Sequence, residues 1–220
     1  TYMHPIDNID LKLYYTQFIK YEVGSEEGIC ALLMDTFIKE CDEKTRKFIN
    51  DLDLGYISGE SSAGEEEFEE SYSNYLEAKN KLLIIGDDLI EHEKIENIIK
   101  LLALIKKYTN FELIVLNEDL GNKINSCTNF DLEEIEELKS FNGTLVYKLI
   151  DENQNDELIA SKTFANIAKV ANGDEIYINS KDEKIKRTLK VDETLNGTIA
   201  ILKVKNIDDV FNGYRYKQVK

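Results

Sequence analysis

The hydrophobic and polar positions of this chain follow one pattern over its first two thirds and another over its last third. Between residues 15 and 116, short apolar runs alternate with longer segments in which apolar positions recur every three to four residues, as on one face of a helix. Beyond residue 141, short β-prone runs are separated by Asn-Gly pairs, which accept the positive φ angles of tight turns and are typical of antiparallel strands. We therefore predict a mixed α/β chain with two domains, residues 1–141 and 142–220. The four pairs are Asn142-Gly143, Asn172-Gly173, Asn196-Gly197 and Asn212-Gly213.

The periodicity of the first domain predicts a strand–helix–strand unit. An apolar run at 81–86 comes before a helical stripe at 91–108 and a second apolar run at 111–116. Such a crossover places its two strands parallel in a sheet that helices cover on both faces. We therefore predict a three-layer α/β/α domain with parallel strands, of Rossmann type. The same pattern predicts a strand within 15–23, helices over 28–39, 65–76 and 131–141, and a loop over 58–64.

The second domain is predicted to be a small β-barrel or closed sheet. Its β-prone runs are 174–178, 185–191 and 198–204, and a short helix at 164–169 precedes them. Because an Asn-Gly pair lies between the last two runs, we expect a turn there that joins antiparallel strands.

The composition excludes several classes of partner. The net charge is −16, the pI is about 4.6 and there are only three arginines, Arg46, Arg187 and Arg215. A chain this acidic is repelled by phosphate backbones and anionic membrane surfaces, so we expect neither nucleic acid nor lipid as a partner. No apolar run approaches the roughly 18 residues that cross a bilayer, and the first residues have no signal-peptide pattern.

The three cysteines, Cys30, Cys41 and Cys127, are an odd number with no metal-type spacing. Cys30 lies in an apolar run and is predicted to be a core residue. A disulfide framework needs paired cysteines, and an iron–sulfur cluster normally needs four thiolates. We expect three free thiols in a reducing compartment and no iron–sulfur site within this segment.

Ligands of a doubly wound sheet bind at the carboxyl ends of the strands, near helix N-termini. Two such positions occur here, Gly24-Ser25-Glu26-Glu27-Gly28 and Gly86-Asp87-Asp88. Neither suits a phosphate, because acidic side chains stand where its charge would lie and a dinucleotide fingerprint needs more glycines. At the first position a carboxylate could accept hydrogen bonds from a guanine edge. It fits equally well a helix start, with Ser25 as N-cap and the glutamates at the positive end of the helix dipole.

His92 and Glu93 begin a pattern similar to the zinc-protease motif, but Glu96 occupies the position of the second histidine. With a single imidazole on what we expect to be an acidic helix face, we predict no metal site. Neither His4 nor His92 has a recognisable serine or cysteine partner, so no catalytic residue is predicted.

From residue 161 to residue 204 the order of motifs is specific. A short helix is followed by Asn172-Gly173-Asp174 and a β run, then by a second strand, a turn at Gly197 and a third strand. This order resembles the C-terminal barrel of the molybdopterin-dependent oxidoreductase family. The first domain is similar to the same family. His4-Pro5 resembles its Asp-Pro-Arg motif, residues 18–39 its strand, Gly-Thr-Asp and long helix, and residues 81–108 its strand, glycine and helix.

Within this family the chain looks most like the molybdopterin-type member of the bacterial NADH–quinone oxidoreductases (respiratory complex I), on residues 2–5, 21–28, 59–70 and 81–99. The resemblance implies a molybdopterin-type fold that persists without its cofactor. It also implies iron–sulfur clusters in a region N-terminal to Thr1, and a location in the cytoplasm at the periphery of the inner membrane. The implied partners are that N-terminal region and other complex I subunits, with no direct insertion into the membrane.

Departures from the family pattern favour the cofactor-free interpretation. Active relatives carry Asp and Arg where this chain has His4 and Ile6, and Asp where it has Glu26. Loss of the arginine removes a cation that would pair with the phosphates of a pterin dinucleotide. The resemblance thus implies no catalytic residue, no metal ligand and no cofactor in this segment, only vestigial cofactor positions. These positions are Gly24, Ser25, Glu26, Gly86, Asn172, Gly173 and Asp174.

Three functions remain open on the sequence. The first is a structural segment of an electron-transfer subunit, the second a fragment of an active molybdopterin-dependent oxidoreductase, and the third an unrelated module that binds a small ligand. A binding module would have a compact pocket lined with aromatic side chains. A structural segment needs an apolar contact surface, to which we expect aromatic residues near both ends of the chain to contribute. These are Tyr2, Tyr14, Tyr15, Phe211, Tyr214 and Tyr216.

Overall fold

The chain folds as a mixed α/β protein in two units. The computed structural model describes residues 1–7, 11–141, 143–153, 155–179, 184–206, 209, 211 and 215–219, with residues 179, 218 and 219 described by their backbone alone. Unit 1 contains Thr1–Pro5 and Ile9–Ser140, and unit 2 contains Ile6–Asn8 and Phe141–Lys220. Unit 1 is mainly helical with short parallel strands, whereas unit 2 is mainly a β-sheet.

Unit 1 contains two pairs of parallel strands. Its elements are β1 (Tyr2–Met3), β2 (Phe18–Ile19), α1 (Glu26–Phe37), α2 (Glu43–Asp51), α3 (Leu54–Ser61), α4 (Glu65–Glu77), β3 (Leu82–Ile85), α5 (Ile95–Tyr108), β4 (Glu112–Val115) and α6 (Glu118–Ser126), with a 3-10 turn at Asp87–Leu89. β1 pairs with β2 and β3 with β4, both in parallel. The predicted strand–helix–strand unit with parallel strands is therefore confirmed as β3, α5 and β4.

The core of unit 1 lies along α1 and α5. Most residues of α1 are buried, as its nearly continuous apolar sequence predicts, and Cys30 is among them. A Cβ atom at Gly28 would lie 2.7 Å from a methyl group of Leu138 and 3.1 Å from one of Ile57. The glycine therefore allows α1 to approach α3 and the segment that follows α6 more closely than a larger residue would.

The predicted loop at 58–64 is largely the end of α3 instead. Asp53 begins this helix by accepting a hydrogen bond from the backbone N–H of Tyr56 over 3.0 Å. Ile57 is buried, and the hydroxyl of Ser61 donates to its carbonyl oxygen over 2.6 Å. Burial and these local bonds outweigh the low helix propensity of two glycines within the segment.

The predicted helix at 131–141 is wrong, because these residues have no regular secondary structure. The backbone N–H of Glu133 donates to Asn97 Oδ1 over 2.9 Å, and that of Leu138 donates to the hydroxyl of Tyr56 over 3.0 Å. Side chains of the folded core thus accept from donors that a helix would pair with its own carbonyl groups. Tertiary contacts override local propensity here.

Unit 2 is a six-stranded sheet that curls into a half-barrel. Its elements are β5 (Thr144–Ile150), β6 (Glu157–Ala160), α7 (Lys162–Ala168), β7 (Glu175–Asn179), β8 (Lys184–Val191), β9 (Ile199–Val204) and β10 (Tyr216–Val219). The strand order is β10-β5-β9-β6-β8-β7. β5 is parallel to β9 and β6 to β8, while the other three neighbouring pairs are antiparallel. Phe164 of α7 packs into the core of this sheet.

The Asn-Gly pairs mark turns, but the prediction that they join antiparallel neighbours is wrong for the third pair. Gly143, Gly173 and Gly197 have φ angles of +105°, +90° and +88°, which glycine adopts without strain. β8 and β9, which flank Gly197, are separated in the sheet by β6. β8 and β9 run in opposite directions but are not paired with each other, because a turn motif does not reveal which strands it joins. Asn142 and the pair Asn212-Gly213 lie outside the described residues.

β3 and β4 have one covered face and one exposed face. Leu83, Ile85, Leu113 and Val115 pack into the core of unit 1. The alternate side chains on the outward face are exposed, although the two apolar runs predict strands buried on both sides. Across the described part of the chain, helices therefore cover only one face of this sheet, and the second helical layer of the predicted three-layer domain is not among these residues.

Candidate functional site

Three loops of unit 1 meet at the carboxyl ends of β1, β2 and β3. His4 follows β1, Gly24 and Glu26 follow β2 at the start of α1, and Asp88 and His92 lie between β3 and α5. His4 contacts Asp88, and His92 contacts both Gly24 and Glu26. We call these five residues the strand-end corner. It is the candidate functional site of the unit, because α/β sheets bind ligands at this position.

His92 is buried at the centre of the strand-end corner. Its Nε2 lies 3.2 Å from the carbonyl oxygen of Gly24 and 3.3 Å from Oε2 of Glu26. The backbone N–H of Lys94 donates to its Nδ1 over 3.0 Å. Because Nδ1 accepts that bond, the proton of the neutral imidazole is on Nε2, which donates toward Gly24 and Glu26. These bonds orient the ring and join the start of α5 to the start of α1.

Burial and charge act on the pKa of His92 in opposite directions. Burial lowers this pKa because it disfavours the imidazolium form. The hydrogen bond to Glu26 and the negative charge of that carboxylate more than offset the effect, so the pKa of His92 lies above its usual value of 6.5. Protonation of Nδ1 breaks the bond from Lys94, so a gain of charge strengthens the contact with α1 and weakens the one with α5.

Glu27, the next residue of α1, makes a second buried contact. Asn97 Nδ2 donates to Glu27 Oε1 over 2.7 Å and to the carbonyl oxygen of Glu133 over 3.2 Å. Burial raises the pKa of Glu27, and the bond from Asn97 opposes that rise in part. The amide of Asn97 therefore connects α5 to α1 and to the segment after α6.

His4 and Asp88 form the outer part of the strand-end corner. His4 Nε2 lies 3.0 Å from Asp88 Oδ2, and the two side chains are 16% and 18% exposed. The His4 ring stacks on Tyr2, which also stacks on Tyr15 and Phe18. This outer pair is thus held against an aromatic cluster of unit 1.

Two ionisable side chains beneath the corner are kept neutral. Burial raises the pKa of Tyr21, and the nearby charge of Glu26 raises it further. Burial likewise raises the pKa of the Cys30 thiol, again with help from Glu26. The Cys30 sulfur is therefore not a thiolate at neutral pH and is not suited to act as a nucleophile.

Two of the positions in unit 1 that were predicted to be vestigial cofactor positions, Gly24 and Ser25, have structural roles. Gly24 has a φ angle of +92°, which side chains rarely adopt. Ser25 is the N-cap residue of α1, but its hydroxyl donates to the carbonyl oxygen of Glu22 over 2.7 Å and makes no capping bond. The predicted cap position is therefore confirmed and the predicted capping bond is wrong. A Cβ atom at Gly86 would meet open space, so no close approach requires glycine there.

The positions in unit 2 that were predicted to be vestigial cofactor positions form the turn before β7. Asn172 Oδ1 accepts a hydrogen bond from the backbone N–H of Val191, and Asp174 Oδ2 accepts one from that of Ala171, both over 2.8 Å. Gly173 has a positive φ angle and donates its N–H to a carbonyl group of β8. These residues therefore attach the turn to the sheet.

The strand-end corner does not fit a molybdopterin dinucleotide, the cofactor of the family that the chain resembles. Glu26 is 3% exposed, so its carboxylate reaches neither a phosphate nor a guanine edge. The one arginine of unit 1, Arg46, donates to the carbonyl groups of Ile38 and Lys39 beyond the opposite end of α1. At a rise of about 1.5 Å per residue, the length of α1 separates it from the corner by roughly 18 Å. The phosphates would therefore meet carboxylates without an arginine to pair with them.

The position of His92 differs from the one that the sequence predicts. The predicted acidic helix face is wrong for this residue, because α5 begins at Ile95 and His92 is buried in the turn before it. Asn97, which holds Glu27, was not predicted as a site residue. The available signal was a polar side chain within an apolar helix, since buried polar groups need partners. In the residues that the structure describes, no group of three or more His, Cys, Asp or Glu side chains could hold a metal ion.

A groove of about 470 Å³ lies between α1 and α4. Leu32, Phe68 and Tyr72 line it together with charged side chains that include Asp35 and Lys39. Lys39 Nζ lies 4.8 Å from the centre of the Tyr72 ring. None of the residues of the strand-end corner lines this groove, and its mixed lining does not bring reactive groups together.

Of the aromatic residues predicted to form a contact surface, two are buried and two are half-buried within their own units. Phe211 and Tyr216 are buried in unit 2, and Tyr2 and Tyr15 belong to the aromatic cluster of unit 1. Tyr14 is exposed, and Tyr214 lies outside the described residues. Aromatic rings bury a large apolar area where neighbours are available, and here their neighbours are within the fold.

None of the family models, curated proteins and solved structures that were compared with the chain gives a significant match. Among the helices described above, none is long and apolar enough to cross a membrane. The function is therefore inferred from the chemistry of the strand-end corner and from the resemblance of the sequence motifs.

Proposed function

We propose that the chain is a structural, cofactor-free segment of an electron-transfer subunit in a respiratory complex of the NADH–quinone oxidoreductase type. The segment positions the cluster-bearing N-terminal region of its subunit and contacts other subunits, in the cytoplasm at the periphery of the inner membrane. One observation carries the proposal. At the ligand-binding position of the α/β unit, His92 and Glu26 contact each other and other protein groups and are shielded from solvent.

The architecture supports the assignment to the molybdopterin-type fold. The half-barrel of unit 2, in which parallel and antiparallel pairs alternate, fits a barrel of the C-terminal molybdopterin-oxidoreductase type. The order β1, β2, α1, β3, α5 and β4 in unit 1 fits the dinucleotide domain of the same family. His4 and Glu26, two of the three departures from the family motifs, both lie in the strand-end corner.

The charge of the strand-end corner supports the loss of the cofactor. An entering dinucleotide would have to separate His92 from Glu26 and place its phosphates near two carboxylates, those of Glu26 and Asp88. Separating this pair leaves the buried carboxylate of Glu26 without the imidazole that faces it, which costs about 1.5–3 kcal/mol. A segment built in this way acts through shape and contact and not through catalysis.

The proposal is tested in membranes from cells that make the protein. After mild detergent extraction and native electrophoresis, the chain should migrate with NADH–quinone oxidoreductase activity, and deletion of the segment should reduce that assembly. Migration apart from the activity, or normal assembly and electron transfer after the deletion, would contradict the proposal. Molybdenum and pterin in the purified subunit would indicate an active molybdopterin enzyme instead.

Ligand binding by the isolated chain gives a second test. Calorimetry with molybdopterin dinucleotide or with NADH should show no saturable heat, because the corner lacks an arginine for phosphates and is occupied by its own side chains. Micromolar affinity for either compound would overturn the cofactor-free interpretation.

A further inference from the structure

The outward face of β3 and β4 is an apolar surface. Leu82, Ile84, Ile114 and Leu116 are 47%, 61%, 40% and 68% exposed. Ile84 stands directly beside Ile114 in the register of the two strands, and Leu82 stands beside Glu112. We call the four aliphatic residues the outward patch.

A sheet of parallel strands does not ordinarily leave an apolar face exposed to solvent. Sheets with parallel strands occur almost always with helices on both faces, because each crossover connection covers one of them. β3 and β4 pair only with each other among the described strands, and only their inward side chains pack into the core of unit 1. The outward patch therefore has the composition of a buried face.

The dimensions of the outward patch match a single helix. Five residues of a strand extend about 16 Å, and two strands lie roughly 4.8 Å apart. A helix is about 10 Å wide and rises 1.5 Å per residue, so three turns, or roughly 11 residues, cover this area.

A second copy of the chain fits the outward patch poorly. Each copy would contribute an area on the order of a few hundred Å², in the range of the largest patches on monomers. Face-to-face packing would thus bury less than the roughly 1,200 Å² of a stable interface. Each chain also has a net charge of −16, which opposes the approach of another.

The charges around the outward patch indicate which kind of helix would bind there and in which direction it would run. Glu112 is exposed on the same face, and Glu118 and Asp119, in the first turn of α6, are exposed beyond the carboxyl end of β4. Acidic groups at that end attract the positive N-terminal end of a helix dipole. Crossover helices of α/β domains also run in this direction, antiparallel to the strands.

We propose that the outward patch binds one amphipathic α-helix of about three turns from the N-terminal region of the same subunit. The helix presents an aliphatic stripe with flanking lysine or arginine side chains, and its N-terminus lies near Leu116. This inference rests on the proposed function, because that proposal supplies the N-terminal region as a contact.

Photo-crosslinking in the assembled complex tests this inference. A benzophenone amino acid replaces Ile84, Leu82 or Leu116 in the full subunit, and the products are mapped by mass spectrometry after irradiation. Ile167, an exposed isoleucine of α7 in unit 2, is the matched control position. We expect severalfold more product from position 84 than from position 167.

The pattern of captured residues decides the outcome. Position 84 should capture residues of the N-terminal region spaced three, four and seven apart, with captures from position 116 nearer the start of that helix than captures from position 82. Capture of a second copy, of lipid or of another subunit would overturn the inference, as would alternate-residue spacing or a yield equal to the control. If position 84 gives no product in a chain that still migrates with the complex, the inference fails while the proposed function stands. If the helix is captured in a protein that does not migrate with NADH–quinone oxidoreductase activity, the inference stands and the proposed function fails.

Discussion

The outward side chains of β8 in unit 2 and of β3 and β4 in unit 1 differ in chemistry. Those of β8 are mostly lysines, and they are exposed. Lys190 reaches Glu157 across the sheet over 3.3 Å, and Lys186 pairs with Glu175. Those of β3 and β4 are mostly aliphatic and also exposed. The outer face of β8 is therefore polar, whereas the outer face of the unit 1 sheet has the composition of a core.

The comparison shows that unit 1 buries some of its polar side chains and exposes some of its apolar ones, which is the reverse of what their polarity would suggest. The strand-end corner buries His92 and Glu26, while the outward patch exposes Ile84 and Leu116. The net charge of −16 predicts neither the buried polar pair nor the exposed apolar patch. In the first feature the protein's own groups contact one another at the ends of the strands, and the second is the surface that we propose another element covers.

The largest effect is expected in the core of unit 2. Phe164 is 1% exposed, so Phe164→Ala should lower the free energy of unfolding by about 3–5 kcal/mol, through lost apolar burial and the cavity that remains. Ile167→Ala, on the exposed side of the same helix, should change it by less than about 0.5 kcal/mol. Urea unfolding followed by circular dichroism measures both values. Equal losses would show that α7 does not anchor the half-barrel.

A somewhat smaller effect is expected in the strand-end corner. His92→Leu removes the imidazole that lies 3.3 Å from the buried carboxylate of Glu26 and should cost about 1.5–3 kcal/mol in the free energy of unfolding. The double variant His92→Leu with Glu26→Leu should recover part of that loss, because no buried charge is left without its partner. A double variant as unstable as the sum of the two single variants would contradict the coupling of His92 and Glu26.

The same pair should give the chain a pH dependence. The folded pKa of His92 lies above its unfolded value of 6.5, so the folded state binds the proton more tightly. The stabilisation is complete below pH 6.5 and is lost as the pH rises through the folded pKa. The raised pKa of Glu27 acts with the same sign but from a lower pH, above its ordinary value of 4.5. Unfolding at several pH values should show a slope above pH 6.5 that His92→Gln removes, and a slope retained in this variant would assign it to another group.

A smaller loss is expected at the start of α7. Ser161 is buried, accepts a bond from the backbone N–H of Phe164 over 3.0 Å and donates to the carbonyl oxygen of Gly197. Ser161→Ala should therefore lower the free energy of unfolding by about 1 kcal/mol. Ser73→Ala, at an exposed helical position, is the control and should have almost no effect. A Ser161→Ala variant as stable as the control would show that the cap does not contribute.

The elements that the sequence predicts well have a local hydrophobic signal. The apolar residues of α5 repeat with the period of a helix, and β3 and β4 are short continuous apolar runs on either side of it. The structure of segment 131–141 is not recognisable from the sequence. Its backbone N–H groups donate to Asn97 and Tyr56, and nothing in the local sequence predicts either contact. Gly197 shows the same limit, since its positive φ is evident from the Asn-Gly pair but the strand partners are not.

The sequence predicts where the strand-end corner lies but not which side chains meet there. Gly24, Ser25 and Glu26 follow an apolar strand and precede a helix, which identifies a ligand position of the fold. Their partner His92 is separated from them by more than sixty residues, and only the folded chain brings it to Glu26. The outward patch was not predictable, because a continuous apolar strand does not tell which of its faces its own chain covers.

The most direct test of the central claim compares two adjacent residues of β3. Ile85 is 5% exposed and points into the core, so Ile85→Ser should lower the free energy of unfolding of the isolated chain by about 2–5 kcal/mol. Ile84→Ser, on the outward patch, should change it by less than about 0.5 kcal/mol and yet reduce the amount of the subunit recovered in its assembled complex. Equal destabilisation by the two variants, or full assembly with Ile84→Ser, would contradict the claim that the outward face of β3 and β4 is completed by another element.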